Sequence, residues 1–259
     1  MKSTKQILRH VILAISIVVF LFSAYKIYTI LSEYNRGDKE YKKIIEKVIE
    51  KEEVEITENG TIKKVEVFKV NFKALSKINP ETVAWIRFAD LEKINYPIVQ
   101  ASDNEKYLHT TFEGNQNKVG AIFLDSGQKE DFSEFNTFIY GHNMKDGSMF
   151  AGLRKYQKKE FAVDHPYFHI YTPDGKETTY QVFAVEVVSE DSKIYKTSYQ
   201  DEKECSSYLE QIKENALYSM SVEVNSESKI VSLSTCTNVE ETQRLLVHGV
   251  KISEKVIGE

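Results

Sequence analysis

Three side chains suited to acyl-transfer chemistry stand at the ends of predicted strands. Cys236 follows the apolar run 230–235, His142 follows 138–141, and Arg244 opens a later run, eight residues after the cysteine. A thiol is a nucleophile, an imidazole moves protons near neutral pH, and a guanidinium can hold an oxyanion or a substrate carbonyl. Each residue alone is more often structural, since a strand-end cysteine is usually a small core residue. Together they predict one catalytic site built on strand ends.

The elements that must position these residues are short strands. Turn signals such as Pro173-Asp174-Gly175 separate runs that alternate or are rich in β-branched residues, which is typical of a mainly antiparallel barrel or sandwich. Helical insertions are predicted at Phe72–Ile78, around Met149–Tyr156 and at Glu202–Leu217. We predict eight strands: Thr82–Phe88, Ile94–Gln100, Val119–Leu124, Asn136–Tyr140, Tyr167–Thr172, Thr178–Val188, Lys229–Ser234 and Leu245–Ile252.

The N-terminal part of the chain has the pattern of a membrane anchor. Residues 11–25 carry no charge, and 27–31 extend the run to about one bilayer thickness if Lys26 reaches the interface. Small residues at both positions before a cleavage site are missing, which favours a retained anchor over a cleaved signal peptide. We therefore divide the chain into a short cytoplasmic tail (1–10), a transmembrane anchor (11–31), a helical stalk (32–61) and a catalytic domain (62–259).

The stalk is predicted from a helical stripe. Within residues 35–54 the apolar positions are spaced as on one face of a helix, whereas the opposite face is rich in Glu and Lys. The residues of the stripe are Tyr41, Ile44, Ile45, Val48 and Ile49. We expect this helix to lie on the domain.

Composition excludes several classes of function. The chain of 259 residues has a net charge of −5, and residues 1–36 carry five Lys or Arg against one Glu, so the remainder is strongly acidic. An acidic domain without a basic stripe is a poor partner for nucleic acid, and no nucleic-acid function is expected. Two cysteines exclude a disulfide framework and a Cys-rich zinc module.

No metal or cofactor is expected. His165 and His169 have the spacing of a zinc pair, but Pro166 and the alternating residues after it predict a strand, on which the two would lie about 13 Å apart. Glu190 and Asp191 lack EF-hand spacing and are interpreted as a solvated face. Cys205, on the predicted helix 202–217, has no histidine signature near it and is interpreted as structural. A disulfide between Cys205 and Cys236 is the alternative in an oxidising exterior, but it would remove the nucleophile.

Several motifs resemble the sortases, and class B sortases most closely. Leu233-Ser234-Thr235-Cys236 with Arg244 behind it is similar to the family's cysteine motif, and Tyr140-Gly141-His142-Asn143 is similar to its histidine segment. The resemblance spans roughly residues 70–252 and includes 79–86, 94–100 and 104–108. Asn238 departs from it, because some class B members have Asp two residues after the cysteine.

The resemblance implies an eight-stranded sortase-type β-barrel with helical insertions, preceded by the transmembrane and stalk helices. It implies a membrane-anchored cysteine transpeptidase of Gram-positive cells, with the N-terminus in the cytoplasm and the catalytic domain outside. Such an enzyme cleaves the C-terminal sorting signal of a surface protein after Thr and transfers the protein to a peptidoglycan precursor amine. Tyr140 and Ser234, by motif position, and Asn104, Leu108, Ile194 and Tyr195, by resemblance, are expected to bind substrate.

Other functions share these residues. A thiol endopeptidase that only hydrolyses would use the same catalytic three, and differs in whether water or an amine resolves the thioester. A pilus-polymerising sortase is a further alternative, although residues 50–80 show no lid motif. A tethered binding module without catalysis would be insensitive to Cys236→Ala.

Overall fold

The computed structural model describes residues 2–58, 61–91, 93–218, 220–237 and 242–257. It begins with one long helix, α1 (Lys2–Val48). An antiparallel hairpin follows, formed by β1 (Ile49–Glu58) and β2 (Thr61–Val70), in which Ile49 pairs with Val70 and Glu58 with Thr61. The prediction of a helical stalk over 32–61 is therefore correct as far as Val48 and wrong beyond it. The sequence feature that predicts the hairpin is the dipeptide Asn59-Gly60, which stands between two runs that contain β-branched residues. Asn-Gly is the pair most typical of a two-residue hairpin turn.

Helix α1 has two parts of different character. Toward its N-terminus the apolar side chains are exposed, and the helix holds a window of mean hydropathy 2.3 of which none is buried. By length and composition this part is a candidate membrane span. Toward its C-terminus, Tyr41, Ile44 and Val48 are buried against the rest of the molecule. The predicted apolar stripe thus packs on the domain as expected.

Eight strands form a closed barrel, and the predicted fold class is confirmed. The neighbours around the barrel run β10-β8-β7-β3-β4-β5-β6-β9, and only the β4–β5 and β6–β9 pairs are parallel. All eight predicted strands are present. Their bounds are β3 (Thr82–Arg87), β4 (Asn95–Val99), β5 (Ile122–Leu124), β6 (Asn136–Tyr140), β7 (Tyr167–Tyr171), β8 (Lys176–Ser189), β9 (Ile230–Cys236) and β10 (Gln243–Val256).

Helical segments connect the strands. The insertions predicted at 72–78, 149–156 and 202–217 correspond to α2 (Phe72–Ile78), a 3₁₀ segment (Phe150–Gln157) and α4 (Glu202–Asn215). A second 3₁₀ segment spans Lys106–Leu108. The short helix α3 (Lys159–Asp164) was not predicted; His165 ends it, so only His169 of that histidine pair lies on a strand.

The strands next to α4 are buried on both faces. Leu233 of β9 and Val247 of β10 belong to the core inside the barrel, whereas Ile230 and Leu246 belong to a second cluster with residues of α4. Successive side chains of a strand point to opposite faces. When both faces are buried, nearly every residue is apolar, so the sequence of such a strand is a nearly continuous apolar run. Cys205 lies in this second cluster, and both cysteines of the chain are free thiols.

Candidate active site

The pairing of three strands brings the predicted catalytic residues to one end of the barrel. In the parallel pair β6–β9, Tyr140 lies opposite Ser234. His142 and Cys236 each follow these partners by two residues, so they leave the sheet at the same level. In the antiparallel pair β9–β10, Cys236 lies directly opposite Arg244. The sequence separation of 94 residues between His142 and Cys236 is therefore closed by one parallel pairing.

Cys236 and Arg244 also share one face of the sheet. Along a strand every second side chain points to the same face. Cys236 is therefore on the same face of β9 as Ile230, and Arg244 on the same face of β10 as Leu246. Ile230 and Leu246 both belong to the cluster under α4. The site consequently lies on the outer face of the barrel, beyond the end of that cluster.

A cleft of about 530 Å³ opens at this place. It is lined by the three predicted catalytic residues and by five of the six predicted substrate residues, namely Asn104, Leu108, Tyr140, Tyr195 and Ser234. Phe123, Asp125, Gly141, Glu190 and Thr235 complete the lining.

Ile194 is the predicted substrate residue that does not line the cleft. Its side chain is fully buried in the cluster under α4, and its carbonyl accepts a hydrogen bond of 2.8 Å from the Tyr208 hydroxyl. Sequence reasoning could not separate it from Tyr195, because burial of one of two adjacent apolar residues is decided by where α4 packs. The side chain of Ile194 supports the wall of the cleft from behind.

His142 is fixed by a backbone carbonyl. Its Nε2 lies 2.7 Å from the oxygen of Leu108. Because a carbonyl oxygen only accepts, Nε2 carries the proton, and Nδ1 is the acceptor when the ring is neutral. Burial lowers the pKa of His142 below its ordinary value, and the nearby His109 and Arg244 act in the same direction. The Leu108 carbonyl opposes them without reversing the shift, so a neutral imidazole is favoured.

Two glycines allow close packing beside the histidine. Gly120 has a φ of +58°, and a Cβ there would lie 2.4 Å from the Tyr107 oxygen and 3.1 Å from Cδ2 of His142. A Cβ at Gly141 would lie 2.4 Å from Ile122 and 2.8 Å from Phe150. Only glycine allows these close approaches beside the histidine.

Arg244 is held by a carboxylate that the sequence interpretation assigned to a solvated face. Nη2 of Arg244 lies 2.5 Å from Oε2 of Glu190, which follows β8. The Arg244 side chain is 23% exposed and that of Glu190 is 49% exposed. Glu190 is thus exposed, as the solvated-face interpretation expects, but it also pairs with Arg244, which that interpretation did not include. The sequence feature that could have identified Glu190 is its position just after the predicted strand 178–188, which pairs with the strand that carries Arg244.

Asp125 is a second residue that sequence reasoning missed. One of its carboxylate oxygens accepts from the Tyr140 hydroxyl and from Nδ2 of Asn104, both at 3.0 Å, and the other accepts from the Gly127 amide at 2.9 Å. Asn104 in turn accepts from the Ser126 amide. The buried Asp125 therefore orients two side chains of the cleft. The sequence places it directly after β5, and because β5 and β6 are antiparallel it lies level with Phe138 on β6, whose carbonyl accepts from the Asp125 amide at 3.1 Å.

Aromatic rings and one amide complete the cleft. The hydroxyls of Tyr195 and Ser234 lie 2.9 Å apart, and burial raises the pKa of Tyr195 to about 12, which keeps it a neutral hydrogen-bonding group. The ring of Tyr195 stacks on that of Tyr140, with centroids 6.3 Å apart. Asn143 donates from Nδ2 to the Cys236 carbonyl at 2.8 Å, which ties the histidine segment to the cysteine strand.

Two further sequence-based points concern this region. Asn238 lies outside the described residues. Within the described ranges, no three His, Cys, Asp or Glu side chains come together as a possible metal site.

Comparison with known proteins identifies the family. Residues 86–252 match the family model described as the sortase domain. The chain belongs to the sortase family, in class B. It is 34% identical to sortase B of Listeria monocytogenes over 238 residues, which cover 91% of this chain and 93% of that protein.

Solved structures agree with this assignment. The crystal structure of Bacillus anthracis sortase B in complex with AAEK1 has a TM-score of 0.72 and 34% identity, and the match covers 86% of this sortase and all of that chain. A Staphylococcus aureus sortase B–substrate complex has a TM-score of 0.66 and 28% identity, and the match covers 73% and 86% of the two chains. The family thus supports a cysteine-dependent sortase transpeptidase with peptide substrates.

Proposed function

We propose that this sortase is a membrane-anchored transpeptidase that cleaves a C-terminal sorting signal after Thr and transfers the protein to a peptidoglycan precursor amine. Cys236, His142 and Arg244 are assigned the catalytic roles. The observation that carries the proposal is that β6, β9 and β10 bring these three side chains to one cleft with peptide-sized dimensions. That cleft is open to solvent on the outer face of the barrel, where a chain segment can enter.

The first half-reaction forms a thioester. The Cys236 sulfur attacks the carbonyl carbon of the substrate Thr, and its proton passes to Nδ1 of neutral His142. The resulting imidazolium gives this proton to the nitrogen of the scissile amide as the C–N bond breaks, and the C-terminal fragment leaves as an amine. The lowered pKa of His142 supports this route, because it favours the neutral ring before substrate binds.

The second half-reaction transfers the acyl group. The acceptor amine attacks the thioester carbonyl and loses a proton to His142, a new amide bond forms, and the thiolate leaves and is reprotonated by the histidine. No oxidant, metal or nucleotide is needed to balance either step. Water in place of the amine would give hydrolysis from the same intermediate.

Arg244 is proposed to stabilise the oxyanion in both half-reactions. A guanidinium has several donors in a planar fork, so it can keep its contact with Glu190 and still donate to a substrate oxygen. The ion pair orients the fork toward the cleft in the absence of substrate. Pre-oriented donors stabilise developing charge without reorganisation during the reaction.

The remaining cleft residues are proposed to bind the sorting signal. Tyr140, Asn104 and Ser234 present polar groups, whereas Leu108 and Tyr195 supply apolar surface. Ile194 is not retained among the residues in contact with substrate, because its side chain is buried behind the cleft.

Localisation follows from the same proposal. Residues 11–31 anchor the chain in the membrane with the N-terminus in the cytoplasm, since wall precursors and surface proteins are outside the cell. The partners are then surface proteins that bear a sorting signal, the precursor amine and the lipid bilayer. The exposed apolar part of α1 supports the anchor.

The decisive experiment separates transfer from hydrolysis. Full-length protein is incubated with a library of sorting peptides, with and without excess amine acceptor, and the products are identified by mass spectrometry. The expected result is a Thr-terminated fragment joined to the amine, with a thioester trapped on Cys236 when amine is omitted. Cys236→Ala should abolish both products, whereas the matched variant Cys205→Ala should retain them, because Cys205 lies in the cluster under α4.

Other product patterns would reject the proposal. Hydrolysis alone in excess amine would make the protein a thiol endopeptidase. Joining of one sorting protein to a lysine of another, in preference to the wall amine, would make it a pilus-polymerising sortase. Unchanged behaviour of Cys236→Ala would reject catalysis altogether.

A further inference from the structure

The C-terminal part of helix α1 contacts the loop that fixes His142. We call residues 108–120 the helix-contact loop. The loop is a closed unit, because the Asn117 amide donates to the His109 carbonyl and the Ala121 amide donates to the Tyr107 carbonyl, both at 2.9 Å. Its first residue, Leu108, supplies the carbonyl that accepts from His142. A displacement of this loop would therefore displace the acceptor of the imidazole.

One face of α1 covers the loop with polar contacts. The carbonyl and side chain of Glu33 accept from Nδ2 of Asn117 and from the Lys118 amide, both at 3.0 Å. The carboxylate of Glu40 accepts from the Glu113 amide and from Nδ2 of Asn115, also at 3.0 Å. These positions are seven residues apart on the helix and so lie on the same face.

Tyr41 is the buried member of this contact. Its hydroxyl donates to the Gly120 carbonyl at 2.7 Å and accepts from the Phe112 amide at 3.3 Å. The residue is 4% exposed, and burial raises the pKa of its hydroxyl, which therefore stays protonated and able to donate. Tyr41 thus holds two separate points of the helix-contact loop at once.

The held point Gly120 lies against the histidine itself. A Cβ at Gly120 would lie 3.0 Å from the Leu108 oxygen and 3.1 Å from Cδ2 of His142, so the Gly120 backbone passes close to both. The hydrogen bond from Tyr41 to Gly120, this close approach, and the hydrogen bond between His142 and Leu108 therefore form a path from the helix to the imidazole.

A second path runs from Tyr41 through its ring. The rings of Tyr41 and Tyr96 meet edge to face, with centroids 5.1 Å apart. The Tyr96 hydroxyl accepts from the Met149 amide, and Met149 pairs as an isolated bridge with Asn143, the residue after the catalytic histidine. The same tyrosine is thus coupled to both sides of His142.

We infer that Tyr41 is a positioning residue for the reaction: through Gly120 and the Leu108 carbonyl, the helix leading from the candidate membrane span sets the orientation of the His142 imidazole. This inference rests on the proposed function for its kinetic consequence, but the positioning itself is a property of the fold. The anchor helix is then part of the active-site framework as well as a tether.

The test compares two buried tyrosines that make the same kind of bond. Tyr41→Phe removes the hydroxyl and keeps the ring contact with Tyr96. The matched control is Tyr156→Phe, because the Tyr156 hydroxyl also donates to a backbone carbonyl, that of His165, at 2.7 Å, and lies outside the cleft. Both variants are made in the full-length protein, reconstituted in phospholipid nanodiscs.

The expected kinetic result is a split between kcat and KM. In Tyr41→Phe, kcat for sorting-peptide cleavage should fall about tenfold, a part of the 10²- to 10⁴-fold that a well-placed general acid–base contributes. KM should change by about twofold at most, because Leu108 is the one predicted substrate residue that belongs to the helix-contact loop, whereas Asn104, Tyr140, Tyr195 and Ser234 lie outside it. In Tyr156→Phe both constants should stay within about twofold. Equal losses of kcat in the two variants would overturn the inference, because general destabilisation would then explain them.

A second readout does not depend on catalysis. The pKa of His142 is measured by NMR on ¹³C-histidine-labelled protein, with the resonance assigned by its loss in His142→Gln. His109 and Arg244 act on the ring, and the titratable groups that share the cleft with it are Cys236, Asp125, Glu190, Tyr140 and Tyr195. Neither tyrosine variant replaces any of these groups. The pKa should rise toward its ordinary value in Tyr41→Phe, because a looser loop admits water to the ring, and should not move in Tyr156→Phe.

The two readouts separate the two claims. If the parent protein cleaves no sorting peptide, the proposed function fails, and the His142 titration still decides the positioning. If the parent cleaves and the His142 titration is the same in both tyrosine variants, the positioning is wrong. Should Tyr41→Phe not fold, Glu40→Gln takes its place, because it weakens exposed contacts of the same loop. We then expect a two- to threefold fall in kcat with the same direction of pKa change, and no change in either would overturn the inference.

Discussion

Replacing Asp125 by Asn tests whether a buried carboxylate organises the substrate cleft. The carboxylate is 8% exposed and accepts three hydrogen bonds, from the Tyr140 hydroxyl, Nδ2 of Asn104 and the Gly127 amide. The amide of the variant offers one acceptor oxygen and one NH₂ group. In either orientation at least one of the three donors faces that NH₂ group and loses its partner.

The size of the effect follows from this count. An unsatisfied buried donor costs about 1–3 kcal/mol of stability. For a domain of about 150–250 residues, each kcal/mol lowers Tm by about 2–4 °C, so a cost of about 2 kcal/mol corresponds to roughly 4–8 °C. Because Asn104 and Tyr140 line the cleft, we also expect a loss of about 1 kcal/mol in substrate binding, which is about fivefold in KM. kcat should change little, since Asp125 does not contact the catalytic three.

The assay uses the single tryptophan as a reporter. Trp85 is fully buried in the barrel, so its fluorescence follows unfolding in urea and on heating. Sorting-peptide cleavage gives KM and kcat. The matched control is Asp131→Asn, which makes the same chemical change at an exposed carboxylate that accepts from the Ser133 amide. If Asp125→Asn unfolds at the same urea concentration as Asp131→Asn and keeps the parental KM, the assigned role of Asp125 is wrong.

Four further predictions concern His142, the glycine beside it and Arg244. Burial lowers the pKa of His142, and in the proposed mechanism the neutral ring takes the thiol proton. We therefore expect kcat/KM to rise with pH, with an acid midpoint below about 6.5, the ordinary histidine value. A midpoint above that value would contradict the neutral-ring mechanism. The native state then binds fewer protons than the unfolded state, so urea stability should fall as pH drops from about 6.5 through the lowered pKa, and His142→Gln should remove this dependence. Gly120→Ala should lower kcat and destabilise the protein by about 1–3 kcal/mol. The control is Gly114→Ala, which shares a positive φ but has open space where its Cβ would lie, so its effects should be smaller. Equal losses of kcat and stability in the two variants would exclude contact with the histidine as the cause. Arg244→Lys should reduce kcat/KM about 100-fold, because an ammonium lacks the planar fork of a guanidinium. The control Arg154→Lys, outside the cleft, should leave kcat/KM unchanged. Near-parental turnover in Arg244→Lys would show that Arg244 does not stabilise the oxyanion.

The sequence alone determined most of the barrel. The eight strands were predictable because the alternation of apolar and polar side chains along a strand is a local property with a period of two. Strands that are buried on both faces, as those next to α4 are, show continuous apolar runs instead, and these runs also indicate strands. The three proposed catalytic residues, Cys236, His142 and Arg244, stood out in the sequence because their chemistry is rare in combination and each lies at one end of an apolar run. Their motifs also carried the resemblance that the comparisons confirm at the level of the family.

Tertiary structure decided what depends on distant partners. Residues 49–61 were predicted as helix because the preceding stripe has helical spacing, yet β1 and β2 form a hairpin that is held by their pairing and by Phe68, which packs in the core against Tyr171. Ile194 and Tyr195 are neighbours in sequence, but α4 buries the first and leaves the second in the cleft. Glu190 and Asp125 look like surface acids until strand pairing brings them beside Arg244 and Tyr140. The contact of Tyr41 with Gly120 joins residues 79 positions apart, and no local period encodes such a pair, because it exists only once the helix has packed on the closed barrel.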